Sequence, residues 1–154
     1  IYIYMEKALF GAGCFWGVEE TFRKLNGVKT TEVGYCGGYT INPTYEEVCV
    51  GNTNHAEVVL IQYDETEISY EKLLDHFWKC HDPTTINRQG PDIGTQYRSE
   101  IFYVDETQKK TAENVRDELN KKLKGKIATN ISKQHLYQPA ENYHQYYLKK
   151  RGAI

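Results

Sequence analysis

Cys14 stands in the run Gly13-Cys14-Phe15-Trp16-Gly17, where a short apolar stretch gives way to an amphipathic one. A cysteine at such a strand-to-helix boundary lies among the first unpaired backbone N–H groups of the helix, at the positive end of its dipole. That setting favours thiolate over thiol and makes Cys14 a candidate nucleophile. The two rings that follow could wall a small apolar pocket. At about 100° per residue, Trp16 falls roughly 140° from the apolar stripe of Phe15, Val18, Phe22 and Leu25. Its ring must therefore either cover a pocket beside Cys14 or pack on a neighbouring loop.

Glu57 is the second residue that stands out. It alternates in register with Val59 and Ile61, so it belongs to a strand face that should be buried. A carboxyl there pairs with a base or keeps its proton, because burial disfavours the charged form. A general acid with a raised pKa is the functional reading, and a solvated acid at a strand end the plain one.

Other chemistries find little support. Cys36, Cys49 and Cys80 form no Cys-x-x-Cys pair, so no metal site is expected. Gly11-Ala12-Gly13 is not a dinucleotide fingerprint, since Trp16 stands where glycine is required. Cys14 has no arginine six residues on, where Glu20 stands, which argues against a phosphatase.

The elements that must position these groups read as follows. Residues 7–10 form a short strand, and a helix runs from about Cys14 to Leu25, ended by Asn26-Gly27. Residues 30–35 form a β-branched strand, and residues 44–50 hold a short helical segment. Ala56 to Tyr63 is the strongest strand; Val58 and Leu60 share one face, Val59 and Ile61 the other, which makes it central. Ser69 caps a helix carrying Leu73, Leu74, Phe77 and Trp78. A long polar loop over residues 81–99 reads as functional. Residues 101–104 make another strand, and Asp105 with Gln108 forms a capping-box pattern before a helix striped by Ala112, Val115, Leu119 and Leu123. Residues 127–131 alternate as an edge strand, and residues 141–150 form a short helix. Two split βαβ units predict an α+β fold: a ferredoxin-like α/β plait, a mixed sheet with helices mainly on one face.

A length of 154 residues fits a single catalytic domain, residues 1–154, with its own core. Met5 is a candidate start, which would leave the residues before it as an extension. A formal charge of −2 gives no electrostatic reason to expect nucleic acid or an anionic membrane as partner. No apolar run is long enough to span a bilayer. Four cysteines, a full apolar core and no signal peptide favour a reducing, cytoplasmic location.

Taken together, the motifs resemble those of the A-type peptide methionine sulfoxide reductases. Gly13-Cys14-Phe15-Trp16-Gly17 resembles that family's active-site signature. Gly34-Tyr35-Cys36-Gly37-Gly38-Tyr39, Asn42-Pro43-Thr44-Tyr45, His55-Ala56-Glu57 and Gly94-Thr95-Gln96-Tyr97-Arg98-Ser99 resemble its other blocks, in order. The resemblance runs from about Lys7 to Tyr147. It implies Cys14 as nucleophile, Phe15 and Trp16 as the cage for the substrate methyl group, and Glu57 as the acid that protonates the sulfoxide oxygen. It further implies Tyr45 and Tyr97 as phenols that hydrogen-bond that oxygen, and Asp92 as a carboxylate that orders the site through water. The expected substrate is methionine S-sulfoxide, free or in proteins, and the activity is oxidative-stress repair without a cofactor. The cysteine becomes a sulfenic acid, to be reduced by thioredoxin, glutaredoxin or glutathione. A monomer is expected.

One departure stands out. Many members carry resolving cysteines near the C-terminus, whereas no cysteine follows Cys80 in this sequence. Either an external thiol reduces the sulfenic acid, or an internal cysteine substitutes. Cys36, in a glycine-rich loop, is the candidate resolving residue; Cys49 and Cys80 are expected to be buried and inert. Two rival readings remain: a cysteine hydrolase using His55, His135 or His144, and a non-enzymatic thiol redox sensor. The sensor has no use for Glu57, Tyr45 and Tyr97.

Overall fold

The computed structural model describes residues 5–152; the candidate extension before Met5 lies outside them. Eight strands, five α-helices and two 3-10 turns occur among the described residues. In chain order they are β1 (Glu6–Ala12), α1 (Phe15–Arg23), β2 (Val28–Cys36), α2 (Tyr45–Val50), β3 (Ala56–Tyr63), α3 (Tyr70–Lys79), β4 (Arg88–Gln89), β5 (Asp92–Ile93), β6 (Ser99–Tyr103), α4 (Glu106–Lys122), β7 (Asn130–Lys133), β8 (Gln138–Pro139) and α5 (Tyr147–Lys150). The 3-10 turns are Thr95–Tyr97 and Asn142–His144.

Six strands form one sheet in the order β7-β6-β1-β3-β2-β8. Every neighbouring pair is antiparallel except β6 with β7, so the sheet is mixed and the fold is α+β. Strand β3 is central, as its two-sided apolar pattern predicts. Cross-strand register divides the side chains into two faces. Phe10 opposes Val59 and Ile101, Ala8 opposes Ile61, and Tyr35 opposes Glu57. This face holds the main core, closed by Phe15, Val18 and Phe22 of α1, Leu73, Leu74 and Phe77 of α3, and Ala112 of α4. Phe10 lies at its centre, with ring centroids 5.0 Å from Phe77 and 5.6 Å from Phe22. The other face carries a smaller cluster of Leu9, Cys36, Ala56, Val58 and Phe102, flanked by Leu60 and Tyr137.

Helix α2 is short, so its start must be fixed by capping rather than by propagation. Thr44 supplies this: its side chain accepts from the Glu47 N–H at 3.2 Å, and the Glu47 carboxylate accepts from the Thr44 N–H at 3.0 Å. We expect Thr44→Ala to destabilise the fold by about 1 kcal/mol, read as a lower denaturant midpoint.

Four local expectations need correction. The edge strand lies at Asn130–Lys133 rather than 127–131. The preceding chain leaves the ladder because Ile127 N–H bonds Asn120 Oδ1 and Ala128 N–H bonds the Pro83 carbonyl. The segment 141–150 is broken by a left-handed Tyr146 (φ 52°), whose N–H is taken by Glu19. Asp105 accepts from Gln108 N–H as expected, but the Gln108 side chain turns to Val104 N–H and the Lys7 carbonyl instead of closing the capping box. The loop over 81–99 contains the β4–β5 hairpin and a 3-10 turn.

Candidate active site

Cys14 is the residue that opens α1. Its side chain caps nothing, and the Trp16 and Gly17 N–H groups point at its sulfur. Gly13 precedes it at φ 101°, and a Cβ there would sit 3.0 Å from the Gln89 side chain, so the β4–β5 hairpin closes directly over this turn. A left-handed conformation with so close a neighbour leaves room only for glycine.

Glu57 reaches the same point from the sheet. It is 1% exposed, on the core face of β3. Its Oε1 accepts from the Phe15 N–H at 3.2 Å, one residue past Cys14. Its Oε2 is buried without a hydrogen-bond partner among the described residues. Among the described residues no base pairs with it. Burial, with a smaller push from Asp92, raises its pKa to about 8 against the Phe15 N–H, which lowers it. The carboxyl is therefore protonated at neutral pH, one of the two states the sequence allowed. Below the unfolded value of 4.5 both states hold the proton; between there and about 8 folding must take one up, so stability falls with rising pH. Glu57→Gln should therefore raise unfolding stability, by more at pH 8 than at pH 5; an equal effect at the two pH values would contradict the raised pKa.

The thiolate expectation for Cys14 needs revision. Burial pushes its thiol up to about 11, aided by the Glu57 and Asp92 carboxylates. The two helix N–H groups act in the predicted direction but are outweighed. The free protein holds a thiol beside a neutral acid.

The other predicted residues converge here too. Asp92 on β5 acts electrostatically on Cys14, Glu57 and Tyr97. Tyr97, at the end of its 3-10 turn, is raised to about 12 by burial and by the charges of Glu57, Cys49, Asp92 and Cys14. Tyr45 opens α2; its hydroxyl bonds Cys49, and burial pushes its pKa up, with Glu57 and Tyr97 in reach. Phe15 is a core side chain, 5.8 Å between centroids from Tyr35. Trp16 packs on the C-terminal segment: its Nε1–H donates to His144 Nδ1 at 2.9 Å, and its ring stacks on Tyr147 at 3.8 Å and 6°.

The remaining cysteines separate sharply. Cys36 is fully buried on the opposite sheet face from Glu57, donating to the His135 carbonyl at 3.2 Å. A resolving role for it would require β2 and the 135–137 segment to part. Cys49 is exposed, not buried as expected, because α2 turns that side outward. Cys80 is half-buried against the Phe77 carbonyl.

Two of the three histidines named for a hydrolase have their rings engaged elsewhere, while His135 lies exposed, with its carbonyl taken by Cys36 and Gly37 on the sheet face opposite Glu57. His55 uses Nδ1 for the Gly38 N–H and Nε2 for the Thr40 carbonyl. His144 holds Trp16.

Sequence reasoning missed Glu141, and it named His144 only as a rival base, not as the partner of Trp16. Glu141 accepts from the Tyr35 hydroxyl at 2.7 Å and from the Tyr45 N–H at 2.8 Å, tying the sheet to α2 beneath the site. The available signal was the aromatic-rich run Tyr143-His144-Gln145-Tyr146-Tyr147, too dense for an idle surface helix.

A cysteine, a neutral buried acid and two phenols that influence one another electrostatically at one sheet end have the makings of a thiol enzyme. Comparison with known proteins says which. The family model described as "Peptide methionine sulfoxide reductase" matches residues 6–153, and the chain belongs to this family of oxidoreductases, which reduce methionine sulfoxide by thiol chemistry. It is 58% identical over 147 residues to a peptide methionine sulfoxide reductase MsrA of Pelagibacter ubique, covering 96% of this chain and 100% of that one. A relative of the same name from Methanothermobacter thermautotrophicus is 54% identical over 147 residues, covering 94% and 87%. Among solved structures, reduced Mxr1 from Saccharomyces cerevisiae superposes with a TM-score of 0.91 at 37% identity, covering 97% of this chain and 87% of that one. Mxr1 in complex with Trx2 gives 0.67 at 25% identity, covering 96% and 89%. Among the described residues no helix is long and apolar enough to cross a membrane.

Proposed function

We propose that this protein, acting as a single catalytic domain, reduces methionine S-sulfoxide, free or in polypeptides, with Cys14 as nucleophile and Glu57 as acid. The observation that carries this is the Glu57 carboxyl: buried, held protonated by that burial, with Oε1 on the N–H of the residue after Cys14, Oε2 without a hydrogen-bond partner among the described residues, and its charge felt by Cys14. A sulfoxide oxygen leaves poorly until it is protonated. Glu57 gives its proton to that oxygen as Cys14 sulfur attacks the substrate sulfur, and the Cys14 thiol proton returns to Glu57. The attack forms a bond between the two sulfurs; as that bond and the substrate S–O bond break, the hydroxyl passes to Cys14 sulfur and methionine leaves with the sulfur electron pair. Methionine sulfoxide is reduced by two electrons to methionine, and Cys14 is oxidised by two to the sulfenic acid. Tyr45 and Tyr97 steady the oxygen, their raised pKa values keeping both phenols as donors. Asp92 orders the site, and Phe15 with Trp16 receives the methyl group.

The strand order β6-β1-β3-β2, with helices gathered on one face, supports the finer description of a ferredoxin-like plait. The fit to Mxr1 bound to Trx2, a thioredoxin, supports thioredoxin as a reductant. Two equivalents of thiol convert the sulfenic acid to thiol and water, giving one disulfide.

A single turnover with methionine S-sulfoxide and no reductant tests this reading. We expect a gain of one oxygen on Cys14, trapped by a sulfenic-acid reagent, with one methionine formed per chain. A Cys14–Cys36 disulfide would reject direct reduction by an external thiol. Absence of methionine would reject the reaction itself.

A further inference from the structure

We infer that His144 is a positioning residue for this reaction: as the Nε2–H tautomer it holds the Trp16 indole in one orientation and so sets which sulfoxide epimer the site accepts. The inference rests on the proposed role of Trp16 in the methyl cage.

Donor accounting fixes the tautomer. The Trp16 indole nitrogen can only donate, so the 2.9 Å bond requires a lone pair on His144 Nδ1. The ring proton is then on Nε2. Burial also lowers the pKa of this ring, which agrees with an uncharged imidazole.

The imidazole has no freedom to turn. It is 1% exposed, with ring centroids 4.2 Å from Tyr143, 4.4 Å from Tyr45 and 5.1 Å from Phe15. The segment that carries it is pinned on both sides. Glu141 holds Tyr35 and the start of α2; the Gln145 side chain bonds both the N–H and the carbonyl of Val33; Tyr146 N–H bonds Glu19. Tyr147 then stacks on the indole, and the Arg151 guanidinium lies 3.5 Å from the centroid of the Tyr147 ring. The N–H bond fixes the direction of the indole and the stack fixes its plane.

A purely structural account leaves one fact without a reason. Nε2 of His144 is buried and has no hydrogen-bond partner among the described residues. Native folds seldom tolerate an orphaned buried donor except where function demands the group. A phenylalanine would fill the space without this cost, but it could not accept from Trp16.

The link to epimer choice is geometric. The two epimers exchange a methyl group and an oxygen around the same sulfur. Discrimination depends on the wall that meets the methyl group being rigid, because a ring free to tilt admits either arrangement.

The test compares His144→Asn with His144→Gln. An Asn side-chain oxygen can take the place of Nδ1, whereas a Gln amide reaches the place of Nε2. Steady-state rates are measured for each epimer of N-acetylmethionine sulfoxide with dithiothreitol as reductant. For His144→Gln we expect KM for the S epimer to rise about tenfold and the S-over-R preference to fall about tenfold, with kcat changed by less than about threefold. His144→Asn should stay within about threefold of the native protein in all three quantities. Parallel losses in both variants, or an epimer preference unchanged in His144→Gln, would overturn the positioning role. A native protein inactive on the S epimer would instead overturn the proposed function.

Discussion

Glu57→Gln should slow sulfoxide reduction by about 10²–10⁴-fold, the range that a positioned general acid contributes. Glutamine keeps the shape and can still accept from Phe15 N–H, but it has no proton to give. The pH profile makes the same point independently. Glu57 is held protonated up to about pH 8 by burial. The rate of the first step should therefore be level through neutrality and fall above about 8, where the acid is lost. In Glu57→Gln that falling limb should vanish. Stopped-flow measurement of methionine formation between pH 6 and 10 reads both effects. A native rate that climbs steadily through pH 8 would mean that Cys14 ionisation, not Glu57 protonation, limits the step. Removing the carboxylate also removes one of the charges that raise the Cys14 thiol. Alkylation of Cys14 at high pH should accordingly be faster in Glu57→Gln than in the native protein.

Cys14→Ser should lose reduction entirely, to the uncatalysed level, while still binding substrate. The reason lies in the bond that must form. Oxygen transfer to sulfur gives a sulfenic acid, a stable oxidation level of cysteine. Transfer to a serine oxygen would require an O–O bond at an alcohol, which no group in this site could stabilise. The substitution leaves the Phe15 N–H to Glu57 bond and the Trp16 stack in place, so the pocket persists. Quenching of tryptophan fluorescence by methionine sulfoxide should survive with little change in midpoint. Reductase activity retained in Cys14→Ser would transfer the nucleophile role to another thiol, and exposed Cys49 would be the first to examine.

Much of this was open to reading along the chain. Strand β3 showed itself through apolar residues on both faces, and Glu57 showed itself as the charged residue on the face of Val59 and Ile61. Both are local facts, because side chains alternate at every second position whatever the rest of the chain does. The position of Cys14 at the start of α1 and the capping of α2 and α3 by Thr44 and Ser69 are local in the same sense.

Three other features depended on groups far apart in sequence. The Cys14 thiol is raised because β3 and the β4–β5 hairpin bring Glu57 and Asp92 to it and exclude water, whereas the helix N–H groups alone would lower it. Cys36 is removed from the site by sheet register: Tyr35 faces the core beside Glu57, so its neighbour must face the opposite cluster. His144 meets Trp16 across 128 residues, through a segment whose own pattern reads only as a short helix. Residue types and spacing thus determined which groups could do chemistry. Burial and long-range pairing decided their protonation and their partners, because desolvation and electrostatic coupling depend on what the whole fold packs around a charge.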